Sequence, residues 1–198
     1  MRTLQEAALE ASTCVKCRLS QGRTQVVYGT GSPNADLMFI GEGPGYYEDK
    51  QGEPFVGAAG QLLNRMLEEV GIRREDVYIA NVIKCRPPGN RDPLPDEIEA
   101  CTPYLLEQVA LIEPRIIVTL GNFATRFVLD RPASISRVRG QRFTWRGRTV
   151  IPTFHPAAVL HGGGEASSQM TALRTDFQAI RAALAELPEP VEEQLGLF

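Results

Sequence analysis

Long hydrophobic runs are missing from this sequence. No apolar stretch approaches the roughly 20 residues that are needed to span a lipid bilayer. The N-terminal segment, MRTLQEAALEA, carries Arg2, Glu6 and Glu10 where a signal peptide would be apolar. We therefore expect a cytoplasmic protein that makes no contact with a membrane.

An excess of positive charge is also missing. The formal net charge is -3, and only three of the basic residues are lysines, Lys16, Lys50 and Lys84. This charge excludes a protein that is basic over its whole surface and coats DNA, although it is compatible with a local basic face. Any contact with nucleic acid must therefore be local.

Cysteine is scarce as well, and the four that occur are Cys14, Cys17, Cys85 and Cys101. In a chain with no export signal a disulfide is disfavoured, and metal ligation is the better interpretation. Four thiolates suit either zinc or a [4Fe-4S] cluster. Zinc knuckles usually contain two close CxxC pairs and this chain has one, so the spacing favours the cluster. Four unrelated buried thiols remain the alternative.

The length and apolar content predict one domain. With 198 residues, 43% of them hydrophobic, the chain can bury one core but is short for two domains. We assign residues 1–187 to this domain and residues 188–198 to a flexible tail. Strand-like runs alternate with helical ones, and the helical runs are predicted at 3–11, 57–71, 97–112, 122–129 and 170–187.

This alternation predicts an α/β fold, a three-layer α/β/α arrangement around a mostly parallel four-stranded sheet. Ligands in such sheets bind beyond the carboxyl ends of the strands. We expect four segments to meet at that edge. They are GEGPG after Ile40, ANVIKC after Ile79, LGN after Val118 and FHPAA after Ile151.

The segment GEGPGYYED differs from a dinucleotide-binding fingerprint. It lacks the GxGxxG spacing before a helix, and Glu42, Glu48 and Asp49 would repel a pyrophosphate. A neutral or weakly polar ligand fits better, and a solvated surface turn is the alternative. Asn81 can both donate and accept hydrogen bonds, as reading the edge of a base requires; an Asx turn is its ordinary role. His155, just past a strand, is either functional or a structural hydrogen-bonding residue.

Taken together, five motifs and the cysteines resemble the family 4 uracil-DNA glycosylases, which are iron-sulfur enzymes. The motifs are GEGPGYYED, PFVGAAGQLLN, NVIKCRPPGNR, VRG and FHPAAVL. The resemblance covers nearly the whole chain, and it implies that Cys14, Cys17, Cys85 and Cys101 ligate a [4Fe-4S] cluster. It further implies that Phe55 stacks on a flipped uracil, that Asn81 bonds its polar edge, that backbone around Glu42 and Gly43 lines the pocket, and that His155 faces uracil O2.

Two positions depart from the best-known uracil-DNA glycosylase family. That family has an aspartate in the turn to activate water, whereas this chain has Gly43 at the corresponding place. Glu42 is our first candidate for orienting water and Glu48 the second, and a mechanism that relies mainly on stabilising the leaving base is a further option. A tyrosine that blocks the thymine methyl is replaced by Gly45, which leaves the exclusion of thymine open.

We expect DNA to contact the segment SRVRGQRFTWRGR through Arg137 and Arg139, because arginine neutralises phosphate. A solvated charged hairpin is the alternative. In HPAAVLHGGG, Val159 or Leu160 is predicted to wedge into the gap that the flipped base leaves.

The tail ends in QLGLF, and Gln194 to Phe198 resemble the short peptides by which bacterial repair proteins bind the DNA polymerase sliding clamp. A tail that folds back on its own domain is the alternative.

The sequence thus predicts a monomeric, monofunctional uracil-DNA glycosylase that acts on single- or double-stranded DNA and starts base-excision repair. Strand-cleaving lyase activity is not expected, since no lysine lies at an expected catalytic position. One alternative is a non-catalytic or covalent uracil-DNA binding protein, but SISRVRGQRF lacks the histidine that related proteins use for covalent trapping. Another is a redox iron-sulfur protein, which leaves Phe55, Asn81 and His155 unexplained.

Overall fold

A computed structural model of the protein describes residues 2–188. Six strands are assigned in this range: β1 (Thr30–Gly31), β2 (Leu37–Gly41), β3 (Tyr78–Asn81), β4 (Ile116–Leu120), β5 (Phe143–Trp145) and β6 (Arg148–Thr153). Eight α-helices accompany them: α1 (Leu4–Ser12), α2 (Tyr46–Gln51), α3 (Ala58–Glu69), α4 (Pro95–Ile112), α5 (Gly121–Leu129), α6 (Ile135–Val138), α7 (Pro156–His161) and α8 (Ser168–Ala185). Among these helices, none is long and apolar enough to cross a membrane.

The strands form one mixed sheet in the order β1-β3-β2-β4-β6-β5. The four central strands are parallel, as predicted, and β1 and β5 add an antiparallel strand at each edge. The sheet therefore has two more strands than the four that were predicted. The first edge strand has only two residues, too few to show a hydrophobic pattern, and the second pairs with β6 through a hairpin rather than a crossover.

Helices cover both faces of the sheet, which confirms the three-layer architecture. Along β2, Leu37 and Phe39 belong to one core cluster, whereas Met38 and Ile40 belong to the other. This alternation follows from the two-residue period of a strand, and every residue of β2 is buried because both faces are covered. On the first face, the rings of Phe39 and Phe177 stack at 5.9 Å between centroids.

The helix boundaries agree with the capping signals in the sequence. The apolar stripe of α3, Leu62, Leu63, Met66 and Leu67, is buried as its spacing predicts. The last helix begins two residues earlier than predicted because the Ser167 hydroxyl accepts a hydrogen bond from Met170 N at 3.1 Å. It ends at Ala185, before the predicted end at residue 187.

The predicted tail, from residue 189 onward, lies outside the described residues, as does the clamp-like segment Gln194 to Phe198. The division of the chain at residues 187 and 188 therefore stays a prediction.

Candidate active site

The carboxyl ends of three parallel strands meet around one cavity of about 510 Å³. Six of its lining residues carry the argument below: Glu42, Gly43, Phe55, Asn81, Ile83 and His155. The end of β4 opens instead onto a neighbouring cavity of about 610 Å³, which shares Glu42 and His155 with the first. The expected convergence at this edge is thus confirmed, and Glu42 and His155 line both cavities.

Phe55 is held at the cavity by a strained backbone. It has a φ of 54°, which is rare for a bulky residue. Glu48 fixes the turn that follows, since its Oε1 accepts hydrogen bonds from the main-chain N–H groups of Val56 and Gly57, both at 3.0 Å. Gly60 in α3 completes the support, because any side chain there would overlap the main chain of Phe55.

Phe55 and His155 lie face to face. Their ring centroids are 5.6 Å apart with an angle of 30° between the planes. Phe55 is 6% exposed, so its ring packs as a wall of the cavity rather than projecting from the surface. This arrangement is suited to a flat, weakly polar ligand.

Asn81 brings an unsatisfied acceptor to the cavity. The residue is 2% exposed, and its Oδ1 has no hydrogen-bond partner among the described residues. An Asx turn therefore does not account for this oxygen. A buried acceptor without a partner costs about 1–3 kcal/mol, which a ligand with a suitably placed N–H would offset.

Burial favours the neutral form of His155, and one of its ring nitrogens accepts a hydrogen bond in this structure. Its Nδ1 accepts a hydrogen bond from the main-chain N–H of Ala157 at 3.1 Å, so the residue caps the start of α7. Burial lowers the pKa of His155 to about 4, although the nearby Glu48 carboxylate opposes this shift. With Nδ1 occupied as an acceptor, the neutral ring carries its proton on Nε2. The structural and functional interpretations of this histidine are therefore compatible.

The two carboxylates proposed for water activation have different surroundings. Burial raises the pKa of Glu42, and the negative charge of Asp92 raises it further. Glu42 borders both cavities, whereas Glu48 is already engaged by two amides of the Phe55 turn. Of the two, Glu42 is the better placed to contact a water molecule.

The Ile83 side chain limits the space beside Gly43, in the turn that follows β2. A Cβ at Gly43 would lie 2.7 Å from Ile83 Cγ1, so an aspartate there would require this side chain to move. Gly45 lines the cavity, whereas Tyr46 and Tyr47 are 50% and 60% exposed and do not line it. Ile83, which the sequence analysis did not single out, is the bulky side chain on this wall.

The four cysteines line a second, much smaller cavity together with Lys84 and Tyr104. All four are free thiols; Cys85 and Cys101 are buried, and Cys14 and Cys17 are partly buried. In residues 2–188, no three His, Cys, Asp or Glu side chains converge closely enough to share a single metal ion. Four thiols on one cavity fit a sulfur-ligated metal group, for which zinc and an iron-sulfur cluster are both known.

Burial raises the pKa of Cys85 to about 12, and it raises the pKa of Cys101 as well. The Arg23 guanidinium opposes the shift at Cys85, to whose Sγ it donates a hydrogen bond at 3.6 Å. Without a metal these thiols hold their protons at neutral pH, so a metal group would bind by displacing protons.

The prediction that Val159 wedges into DNA is wrong, and Arg139 has an internal partner, while its contact with DNA stays a prediction. Val159 is fully buried in the core, because the helical turn of α7 directs it inward and leaves Leu160 at 36% exposure. Arg139 pairs with the buried Asp176 at 2.7 Å, and Asp176 also accepts a hydrogen bond from Thr153 at 2.6 Å. Arg139 therefore fixes the strand that precedes His155. No pattern in the sequence distinguished this internal arginine from its neighbours.

The other two predicted contacts are available at the surface. Arg137 is exposed at the end of α6, and Leu160 projects from α7 next to the cavity residues Ala158 and His161. Their roles in DNA binding stay predictions.

The fold and this cavity define a class of protein. Residues 28–181 match the family described as the Uracil DNA glycosylase superfamily. This match spans most of the chain, and the chain belongs to that superfamily. The prediction from the sequence motifs is confirmed at this level.

Individual relatives narrow the assignment to the type-4 uracil-DNA glycosylases. The protein of that name from Sulfurisphaera tokodaii is 46% identical, over 91% of this chain and 84% of its own length. The one from Archaeoglobus fulgidus is 48% identical over 81% of this chain and 85% of its own length. The one from Thermotoga maritima is 53% identical over 74% of this chain and 78% of its own length. The predicted family is therefore confirmed as well.

Proposed function

We propose that this protein extrudes uracil from DNA and hydrolyses its N-glycosidic bond, leaving an abasic site for base-excision repair. The observation that carries the proposal is the unpaired Oδ1 of Asn81, buried in the cavity beside the Phe55 and His155 rings. Uracil supplies the missing donor through N3–H, and the Asn81 amide can donate in return to O4.

Asn81 would also select against cytosine, which has no proton at N3 and has an amino group in place of O4. The acceptor N3 of cytosine would then face the Asn81 oxygen, which is also an acceptor. The amino group of cytosine would face the Asn81 amino group, and both of these are donors. Since mismatched buried polar groups are costly, one such residue can discriminate strongly between the two bases.

His155 would stabilise the leaving base. As the glycosidic bond breaks, negative charge develops on uracil, and a donor that is stronger toward the anion than toward the neutral base lowers the barrier. The neutral imidazole has its Nε2–H available for uracil O2 because Ala157 occupies Nδ1. A histidine that stays neutral gains no proton to transfer, so its role is electrostatic.

Glu42 would orient the water that attacks C1'. It borders the two cavities, one for the base and one at the end of β4, where the sugar could approach. Its raised pKa makes it a better base than an ordinary carboxylate, provided that it is ionised at the working pH.

Extrusion costs a few kcal/mol in a duplex and is cheapest for a mispaired base. Leu160 would fill the vacated space, and Arg137 would neutralise phosphate, so affinity for DNA should fall as salt rises.

The four-cysteine cavity would hold a [4Fe-4S] cluster ligated by Cys14, Cys17, Cys85 and Cys101. What supports this is the single cavity lined by four free thiols. The cluster would supply a covalent connection between the N-terminal segment, the segment after β3 and helix α4, and its role would be structural.

The tail would bind the sliding clamp through Gln194 to Phe198. Deleting these residues should abolish capture by the clamp and leave activity on short oligonucleotides intact. Capture that persists after the deletion would disprove this part of the proposal.

One assay tests the main proposal. The protein is incubated with an oligonucleotide that carries a single uracil, and the products are resolved on denaturing gels with and without alkali. Cleavage only after alkali is the expected result, with a thymine oligonucleotide as control. A shifted band that survives detergent would indicate covalent trapping instead, and an unchanged oligonucleotide would contradict the proposal.

A further inference from the structure

Lys84 is a buried lysine with an unusual set of partners. It is 1% exposed, whereas Lys16 and Lys50 are exposed. Its Nζ donates to the main-chain oxygen of Asn81 at 2.8 Å and to Oε1 of Gln108 at 2.5 Å. Both acceptors are neutral, and within residues 2–188 no carboxylate forms a salt bridge with it. Burial favours the neutral amine over the ammonium, so a charged Lys84 requires a source of negative charge nearby.

The cysteine cavity is the nearest source of that charge. Lys84 lines this cavity and directly precedes Cys85 in the chain. A thiol that binds iron loses its proton, and the four thiolates would carry more negative charge than the positive charge of the iron-sulfide core that they hold. The ammonium would then lie beside an anionic group rather than among neutral ones.

The hydrogen bond that Lys84 donates to Asn81 connects it to the proposed uracil pocket. The carbonyl that accepts from Lys84 belongs to Asn81, whose side-chain oxygen is the unpaired acceptor in the active-site cavity. Gln108 of α4 extends the connection, since its Nε2 donates to the Tyr28 carbonyl at 2.8 Å and to the Tyr78 hydroxyl at 3.1 Å. Lys84 therefore joins the end of β3 to α4 and to the segment before β1.

We propose that Lys84 is a positioning residue that couples the two sites: it balances the charge of the cysteine-bound group and fixes the main chain of Asn81 for uracil. The inference rests on the proposed function, because it requires both a cluster and a uracil pocket. It assigns no chemical step to Lys84. It predicts that a disruptive change at either site also impairs binding at the other site.

The test compares Lys84→Met with Lys16→Met in the iron-loaded protein. Methionine keeps the length of the side chain and removes the charge and the donors. Lys16 is a matched control, since its Nζ lies 4.6 Å from the ring of Tyr104, which also lines the cysteine cavity, but it is exposed. Two properties are measured: the rate at which a chelator removes iron, followed by visible absorption, and the affinity for an uncleavable oligonucleotide containing 2'-fluoro-2'-deoxyuridine.

Lys84→Met should lose iron about tenfold faster and bind the fluorinated uracil strand about tenfold more weakly, as expected for the loss of a charge-assisted hydrogen bond. Affinity for a thymidine strand should be unchanged, and Lys16→Met should behave as the native protein in both measurements. Native behaviour of Lys84→Met in either measurement would overturn the coupling.

Two further measurements separate the possible failures. In an Asn81→Ala background, Lys84→Met should still accelerate iron loss but should not weaken uracil binding further; additional weakening would overturn the assignment to Asn81. If Lys84→Met does not fold, iron is removed from the native protein, and unchanged affinity of the folded, iron-free chain for the fluorinated strand would overturn the coupling. A native protein without iron, or without preference for the uracil strand, would instead refute the proposed function.

Discussion

Gly41 lies directly opposite Asn81 in the register of β2 and β3, and this pairing limits the space beside the candidate active-site cavity. A Cβ at residue 41 would overlap Oδ1 of Asn81 and would lie 2.8 Å from Cζ of Phe55. The missing side chain at Gly41 thus allows the amide of Asn81 and the ring of Phe55 to approach each other.

Gly41→Ala should therefore reduce kcat/KM for uracil release by at least about tenfold, since displacement of a positioned group by 1 Å is costly. The measurement is single-turnover kinetics on a uracil oligonucleotide. Gly71→Ala is a useful contrast, because nothing lies within 4 Å of the added methyl group and only its backbone φ of 69° is unfavourable. That variant should lose stability and keep its activity.

Asn81→Ala should separate stability from activity. The change removes a buried acceptor that has no partner, so the free energy of unfolding should change by less than about 1 kcal/mol. Base release should nevertheless slow by about a hundredfold or more, since the pocket loses its means of recognising uracil. Denaturant unfolding and single-turnover kinetics measure the two effects. A large loss of stability would show that Asn81 is mainly structural.

The lowered pKa of His155 predicts a pH dependence of stability. The folded-state value is about 4, against the ordinary value of 6.5. Between these two pH values the unfolded chain binds a proton at this residue and the folded chain does not. Stability should therefore be complete above pH 6.5 and should fall as the pH decreases toward 4.

Unfolding in denaturant at pH 4.5, 5.5 and 7.5 measures this dependence. His155→Gln removes the titrating group, so its stability should decline less steeply over the same range. An identical decline in both proteins would show that His155 is not the group responsible.

Substitutions at the neighbouring residues Val159 and Leu160 should have opposite effects on stability and on activity. Val159→Ala creates a cavity in the core and should cost about 2 kcal/mol of stability, with little effect on activity per folded molecule. Leu160→Ala should leave stability nearly unchanged and slow the reaction on duplex DNA. It should spare single-stranded substrate, where no gap in the base stack needs to be filled. Equal effects of Leu160→Ala on both substrates would rule out the wedge.

The sequence by itself determined the alternating strands and helices, the parallel central sheet and the family. These features depend on local periodicity and on motifs at fixed spacing, such as the buried stripe of α3 and the segments after Ile40 and Ile151. It also predicted that Asn81 and His155 meet at one edge of the sheet, because the carboxyl ends of parallel strands lie together there. Phe55 was predicted only from the resemblance to the family.

Only the tertiary structure decided which way particular side chains face. It assigned Arg139 to Asp176 and buried Val159, since an arginine that binds phosphate and one that binds a distant carboxylate look alike along the chain. It showed that Oδ1 of Asn81 has no hydrogen-bond partner within residues 2–188, and that Lys84 joins the Asn81 main chain to the cysteine cavity. These contacts connect residues from separate elements, so their energies depend on distance and burial, which no local pattern records.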